Sequence, residues 1–175
     1  MQRAVEYGQR WGDLYLPPSL FYNGGPRYLG PDLLVGDWSA TGYFEAGPAR
    51  FSVSYDFLLA ADGAFGVGEV EFVPLYASVE GWIESLALEY LLRGVAAETR
   101  RFKGADVAML GLSDMVPFPG ISGIADMWLI DRDRLVFLCR GVSFLSHFPD
   151  DVNAVVYSGI PDRELTLDLP PFQDG

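Results

Sequence analysis

The sequence predicts an α+β fold: an antiparallel β-sheet with one long amphipathic helix, about residues 79–93, packed on it, plus a C-terminal β-meander. Three patterns predict it. Apolar residues alternate with polar ones through 51–59, which is the period of a half-buried strand. Apolar residues then recur at helical spacing from Val79 to Leu91. Short apolar runs broken by turn residues fill the stretch from Met127 to Tyr157. A chain of 175 residues, half of them apolar, can bury a sizeable core. Residues 1–175 are read as a single α+β domain, with 105–170 as a C-terminal β elaboration.

The chain opens with a short helix, roughly Ala4 to Arg10. The following "LYLPPSLFYNGGPRYLGPD" is too rich in Pro and Gly for regular structure, and its aromatics pin it to the core. In the next segment Phe51, Val53, Tyr55, Phe57 and Leu59 form one face, with Ser52, Ser54 and Asp56 on the other. Asp62-Gly63 reads as a two-residue hairpin loop that sets Ala61 opposite Ala64. Phe57 then faces Gly68, Tyr55 faces Val70 and Val53 faces Phe72, with the glycines leaving room for the rings. On the reverse side Asp56 meets Glu69 and Ser54 meets Glu71, an acidic face. A slip of one residue would exchange the two faces.

Ser78 is the expected N-cap of the long helix, with Glu80 in its first turn, Arg93 near its end and Gly94 at C′. Val79, Trp82, Ile83, Leu86, Ala87, Tyr90 and Leu91 form its stripe, and burying them contributes on the order of 10 kcal/mol gross. Leu88 and Leu92 widen the apolar arc and offer a face on which a homodimer would pack. Met127 to Ile130 and Leu135 to Cys139 read as a hairpin. Val142 to Phe148 and Ala154 to Tyr157 continue the meander, "SDMVPFPGISGIAD" is a long loop, and the tail "LDLPPFQDG" runs along the surface.

A formal charge of −12 argues against nucleic acid, which would be repelled, and fits a basic protein partner or simple solubility. The single cysteine, Cys139, excludes an internal disulfide and a Cys-based zinc site. The N-terminal "MQRAVEYGQRWGD" lacks a signal-peptide core, and no apolar run has bilayer-spanning length, so the expected location is cytoplasmic with no membrane partner.

No residue set carries a catalytic assignment, and no cofactor is expected. Cys139 in "RLVFLCRG" reads as a buried strand cysteine rather than the partner of His147. Ser146, His147 and Asp150 are nearly contiguous, whereas a hydrolase triad converges from separate segments. "GAFGVGEVEF" opens a strand, so it lacks the strand–turn–helix setting of a dinucleotide loop. Asp56, Glu69 and Glu71 have the chemistry for a hard cation, but a solvated acidic face is the preferred reading, and no metal is assigned. Arg100, Arg101 and Lys103 form the one basic cluster, placed to answer the helix dipole or nearby acids.

Trp11, Leu16-Pro17-Pro18, Asn23-Gly24-Gly25, Asp62-Gly63 and "VPLYASVEGWIE" together resemble the SMI1/KNR4-like (SUKH) superfamily over roughly residues 10–93. The resemblance implies an α+β fold and binding of partner proteins. Many bacterial members look like immunity proteins that neutralise toxins, often basic nucleases. It carries no catalytic residues onto this chain. The first functional expectation is therefore a non-enzymatic protein-binding module, of the immunity type that the resemblance implies, contacting a basic toxin through Asp56, Glu69 and Glu71. The alternatives are a small-ligand protein or enzyme with an aromatic pocket lined by Tyr55, Phe57 or Trp82, and a structural homodimeric subunit.

Overall fold

A computed structural model describes residues 2–31, 42–118, 120–132 and 134–161. In chain order it contains α1 (Gln2–Trp11), β1 (Leu14–Tyr15), β2 (Tyr28–Leu29), β3 (Phe44–Gly47), β4 (Asp56–Leu59), β5 (Phe65–Gly68), β6 (Phe72–Tyr76) and the long helix α2 (Val79–Val95). Then follow β7 (Glu98–Lys103), α3 (Ala105–Ala108), β8 (Val116–Pro117), β9 (Met127–Asp131), β10 (Arg134–Cys139), α4 (Gly141–Ser146) and β11 (Asn153–Ser158). β1 pairs with β2. The strands β3-β4-β5-β6 form one antiparallel sheet, and β7-β11-β10-β9-β8 form a second. The described residues combine helices with sheets whose pairings are all antiparallel, so the chain is α+β with a C-terminal meander, as its periodicities predict.

The β4–β5 hairpin lies one residue away from the predicted register. Asp62-Gly63 does turn the chain, but inside a three-residue loop: the Ala60 N–H donates to the Ala64 carbonyl at 2.9 Å. Gly63 sits at φ +99°, where residues with a Cβ are strained, and Asp62 Oδ1 accepts the Ala64 N–H at 3.0 Å. The extra residue moves every pair. Phe57 faces Val67 instead of Gly68, and Asp56 faces Gly68 instead of Glu69. Val53 and Tyr55 precede β4, so their expected pairings with Phe72 and Val70 do not form. The alternation also fails, because Leu58 is buried as fully as Phe57, while Phe51 stands in solvent. A glycine does make room for a ring, but the ring is a different one. A Cβ on Gly66 would lie 2.7 Å from the Phe72 side chain of β6 and 2.2 Å from the Val73 carbonyl.

Ser78 caps α2 as predicted, its Oγ accepting the Gly81 N–H at 3.2 Å. The helix runs through Gly94, and Ala96 is the C-cap, donating its N–H to Leu92 at 2.9 Å. Its buried face is Val79, Trp82, Ser85, Leu86, Leu88, Glu89 and Leu92. Ala87 and Tyr90, expected in the stripe, are exposed, and Ile83 and Leu91 are half-buried. Leu88 and Leu92 belong to the chain's own core, so they offer no free face to a second copy. The rotation is possible because the two polar residues it encloses, Ser85 and Glu89, find hydrogen-bond partners inside. Ser78→Ala is expected to cost about 1 kcal/mol and Ser78→Gly only a few tenths, read as shifts of the urea midpoint; equal losses would deny the cap its role.

In the C-terminal half, β9 and β10 form the expected hairpin, with Asp131 opposite Arg134. Residues 142–148, expected to extend the meander, lie instead largely in α4. Its start is fixed by the Asp126 carboxylate, which accepts the N–H groups of Arg140 and Gly141. A Cβ on Gly141 would sit 2.2 Å from the Tyr22 hydroxyl, so only glycine fits there. The meander resumes at β11, and β7, which the sequence reading did not assign, joins its outer side. Residues 167–175, expected along the surface, lie outside the described residues. One apolar cluster runs through both large sheets. It joins Phe57 and Phe65 to Trp82 and Leu92 of α2 and to Trp128, Phe137 and Tyr157. A smaller cluster on the other face of the second sheet holds Val107, Leu129, Val136, Leu138 and Val156.

Candidate functional site

Because Asp56 pairs with Gly68, the start of β4 and the end of β5 lie together, and Glu69-Val70-Glu71 turn into β6 at that same end. Ser54 ties the incoming segment to the turn, its hydroxyl donating to Glu69 Oε2 at 3.2 Å. The slip thus separates Asp56 from its predicted opposite number without dispersing the acids. All three are exposed, and Val70, between two of them, is 88% exposed. Among the described residues none of the three carboxylates has an ion-pair partner. Partial desolvation raises the Asp56 carboxyl above its ordinary value. No group of three or more His, Cys, Asp or Glu residues converges as a metal site among the described residues.

The candidate pocket aromatics pack against one another. Tyr55 meets Phe57 edge-on at 5.8 Å, Phe57 stacks with Phe65 at 6.3 Å, and Phe65 stacks with Trp82 at 4.5 Å. Phe57 and Trp82 are buried and Tyr55 half-buried, so these rings fill core rather than line either groove described below. One groove of about 480 Å³ is lined by Val107, Leu112, Leu138, Val152 and Asp150, among others. Another of about 410 Å³ lies between Tyr43, Ala61, Asp62, Phe72 and Ile124. Each presents a single carboxylate, too few to share acid and base roles.

The polar groups that the sequence reading missed are internal. Asp126 is fully buried. Both its oxygens accept the Tyr22 hydroxyl, at 2.9 and 2.7 Å, and Oδ1 also accepts the Arg140 and Gly141 N–H groups at 3.0 and 3.2 Å. Burial outweighs these donors and pushes its carboxyl up to about 6. Tyr22 reaches it from a backbone held at φ +51°. On α2, Ser85 Oγ bonds the Tyr76 hydroxyl and accepts Trp128 Nε1–H, both at 2.7 Å, joining the two large sheets. One turn on, Glu89 accepts the Ser19 hydroxyl at 3.0 Å and the Leu20 N–H at 2.8 Å, and pairs with Arg93, whose guanidinium reaches the Pro18 carbonyl. The Glu89/Arg93 spacing inside an apolar arc was the one signal in the sequence for this clasp.

Cys139 is buried as predicted, and desolvation followed by the Asp126 charge holds its thiol well above the ordinary value, so it is no nucleophile. The Ser146 hydroxyl donates to Asp151 at 3.0 Å, and His147 is the C-cap of α4 at φ +55°. No helix among the described residues is long and apolar enough to cross a membrane. Comparison with protein-family models, with curated proteins and with solved structures gives no match to this chain.

Proposed function

We propose that this chain is a non-enzymatic protein-binding module that docks a basic partner on the sheet end carrying Asp56, Glu69 and Glu71. The observation that carries the reading is Val70, an exposed aliphatic side chain held on a tight turn between carboxylates that lack ion-pair partners among the described residues. Such an end gives a basic surface both long-range attraction and an apolar contact to desolvate. The net charge of −12 adds to the attraction. The resemblance of residues 10–93 to the SMI1/KNR4-like superfamily supports an immunity-type role, in which the partner is a basic toxin. The proposed compartment is the cytoplasm, where a lone thiol stays reduced.

The test is affinity capture from the native cell on the immobilised wild-type chain and on the Asp56→Asn, Glu69→Gln, Glu71→Gln variant. A basic protein retained at low salt, released at about 0.5 M salt and bound at least roughly tenfold more weakly by the variant is the expected result. Retention that ignores both salt and the three substitutions would remove the acidic end from the binding surface.

A further inference from the structure

The two large sheets have four edges, and three of them are blunted. On β3 the register breaks between Glu45 and Gly47, and the Ala46 carbonyl accepts the Gly30 N–H at 3.0 Å. The β6 edge contains Pro74, and its Leu75 carbonyl accepts the Ile124 N–H at 2.7 Å. The β8 edge is only Val116-Pro117. By contrast β7 has six residues, no proline and no break in its register with β11, and every one of its residues except Phe102 is exposed.

Its outward groups follow from the ladder. The Gly104 N–H donates to the Val152 carbonyl at 2.8 Å, which makes that antiparallel pair a hydrogen-bonded one. Bonded pairs alternate, so Phe102, Arg100 and Glu98 direct their peptide groups to β11, while Thr99, Arg101 and Lys103 direct theirs away from the sheet. Arg100 is neutralised by Glu98 at 2.7 Å. Arg101 and Lys103 have no ion-pair partner among the described residues, and they share one face of the strand. A strand added here therefore meets N–H and C=O groups that no described residue pairs, and two positive charges at alternate positions.

We infer that β7 is a docking edge for an extended acidic segment of another protein, added as a further strand with acids at every second position beside Arg101 and Lys103. A second copy of this chain is the poorer occupant, because two antiparallel β7 edges would set these cations against each other. This surface is distinct from the acidic end and does not depend on that assignment.

The probe is a fluorescent peptide of about eight residues alternating Glu and Val, compared with an uncharged one alternating Thr and Val. The wild-type chain is expected to prefer the Glu peptide by at least roughly tenfold, and the Arg101→Glu, Lys103→Glu variant to reverse that order. Both positions are exposed, so the variant retains the fold. The bound Glu peptide should slow hydrogen exchange at the Thr99, Arg101 and Lys103 amides, and methylating alternate peptide nitrogens should abolish binding. Equal binding of the methylated peptide, unchanged preference in the variant or unprotected amides would each overturn the proposal. So would a dimer of the free chain that protects the same three amides.

Discussion

Asp126→Asn is expected to leave stability near pH 4 almost unchanged and to raise it above about pH 6. In the folded chain the carboxyl is displaced from 3.8 to about 6 by complete burial, although the Tyr22 hydroxyl and the Arg140 and Gly141 N–H groups oppose the shift. The folded state thus binds the proton more tightly than the unfolded chain does. The resulting stability is fully present below the unfolded value and is lost as pH rises through about 6. The displacement corresponds to roughly 3 kcal/mol at neutral pH. Asparagine retains an acceptor oxygen for the two N–H groups and offers its own N–H to the Tyr22 oxygen, without the buried charge. Asp126→Ala is a different case. It leaves buried donors unmatched, at about 1–3 kcal/mol each, and destabilises across the whole range. Urea midpoints measured from about pH 4 to 8 decide the matter; parallel curves for wild type and Asp126→Asn would show that this carboxyl titrates alike in the folded and unfolded chain, with no displacement on folding.

Trp128→Ala is expected to cost about 3–5 kcal/mol, a large share of the stability of a chain this size. Trp128 is fully buried, lies 4.8 Å from the Phe137 ring and 5.9 Å from Tyr157, and donates to Ser85. Removing it opens a cavity between the second sheet and α2 and leaves Ser85 with the Tyr76 hydroxyl alone. Trp128→Phe keeps much of the packing and loses the donor, so about 1–2 kcal/mol is expected. Chemical unfolding followed by circular dichroism separates the two. Similar losses from both variants would assign the effect to the hydrogen bond rather than to the packing.

Where local chemistry decides structure, the residues could be read directly. Ser78 announced α2, and the apolar runs on either side of Asp131 and Arg134 announced β9 and β10. Legibility ended where distant groups decide. The choice between a two- and a three-residue loop at Asp62-Gly63 depends on Ala60 and Ala64 closing the ladder, and both loops suit the same residues. The strand predicted at 142–148 became a helix because a carboxylate from position 126 receives its first N–H groups. The face of α2 could not be fixed by hydrophobicity alone, since Ser85 and Glu89 are enclosed through partners on three other segments. Of the candidate site, the three acids were identifiable by composition. The exposure of Val70 followed from the tight turn, which alternation had read as strand.

The bond from Tyr22 to Asp126 spans 104 positions, and the Glu89 clasp on Ser19 spans 70. On the ribosome, the Pro-rich opening therefore emerges well before either of its anchors exists. At roughly 5–20 residues per second the longer wait lasts on the order of 5–20 s, during which Leu16, Phe21 and Tyr22 are without their final neighbours. These side chains therefore stay unpacked until translation has passed the middle of the second sheet.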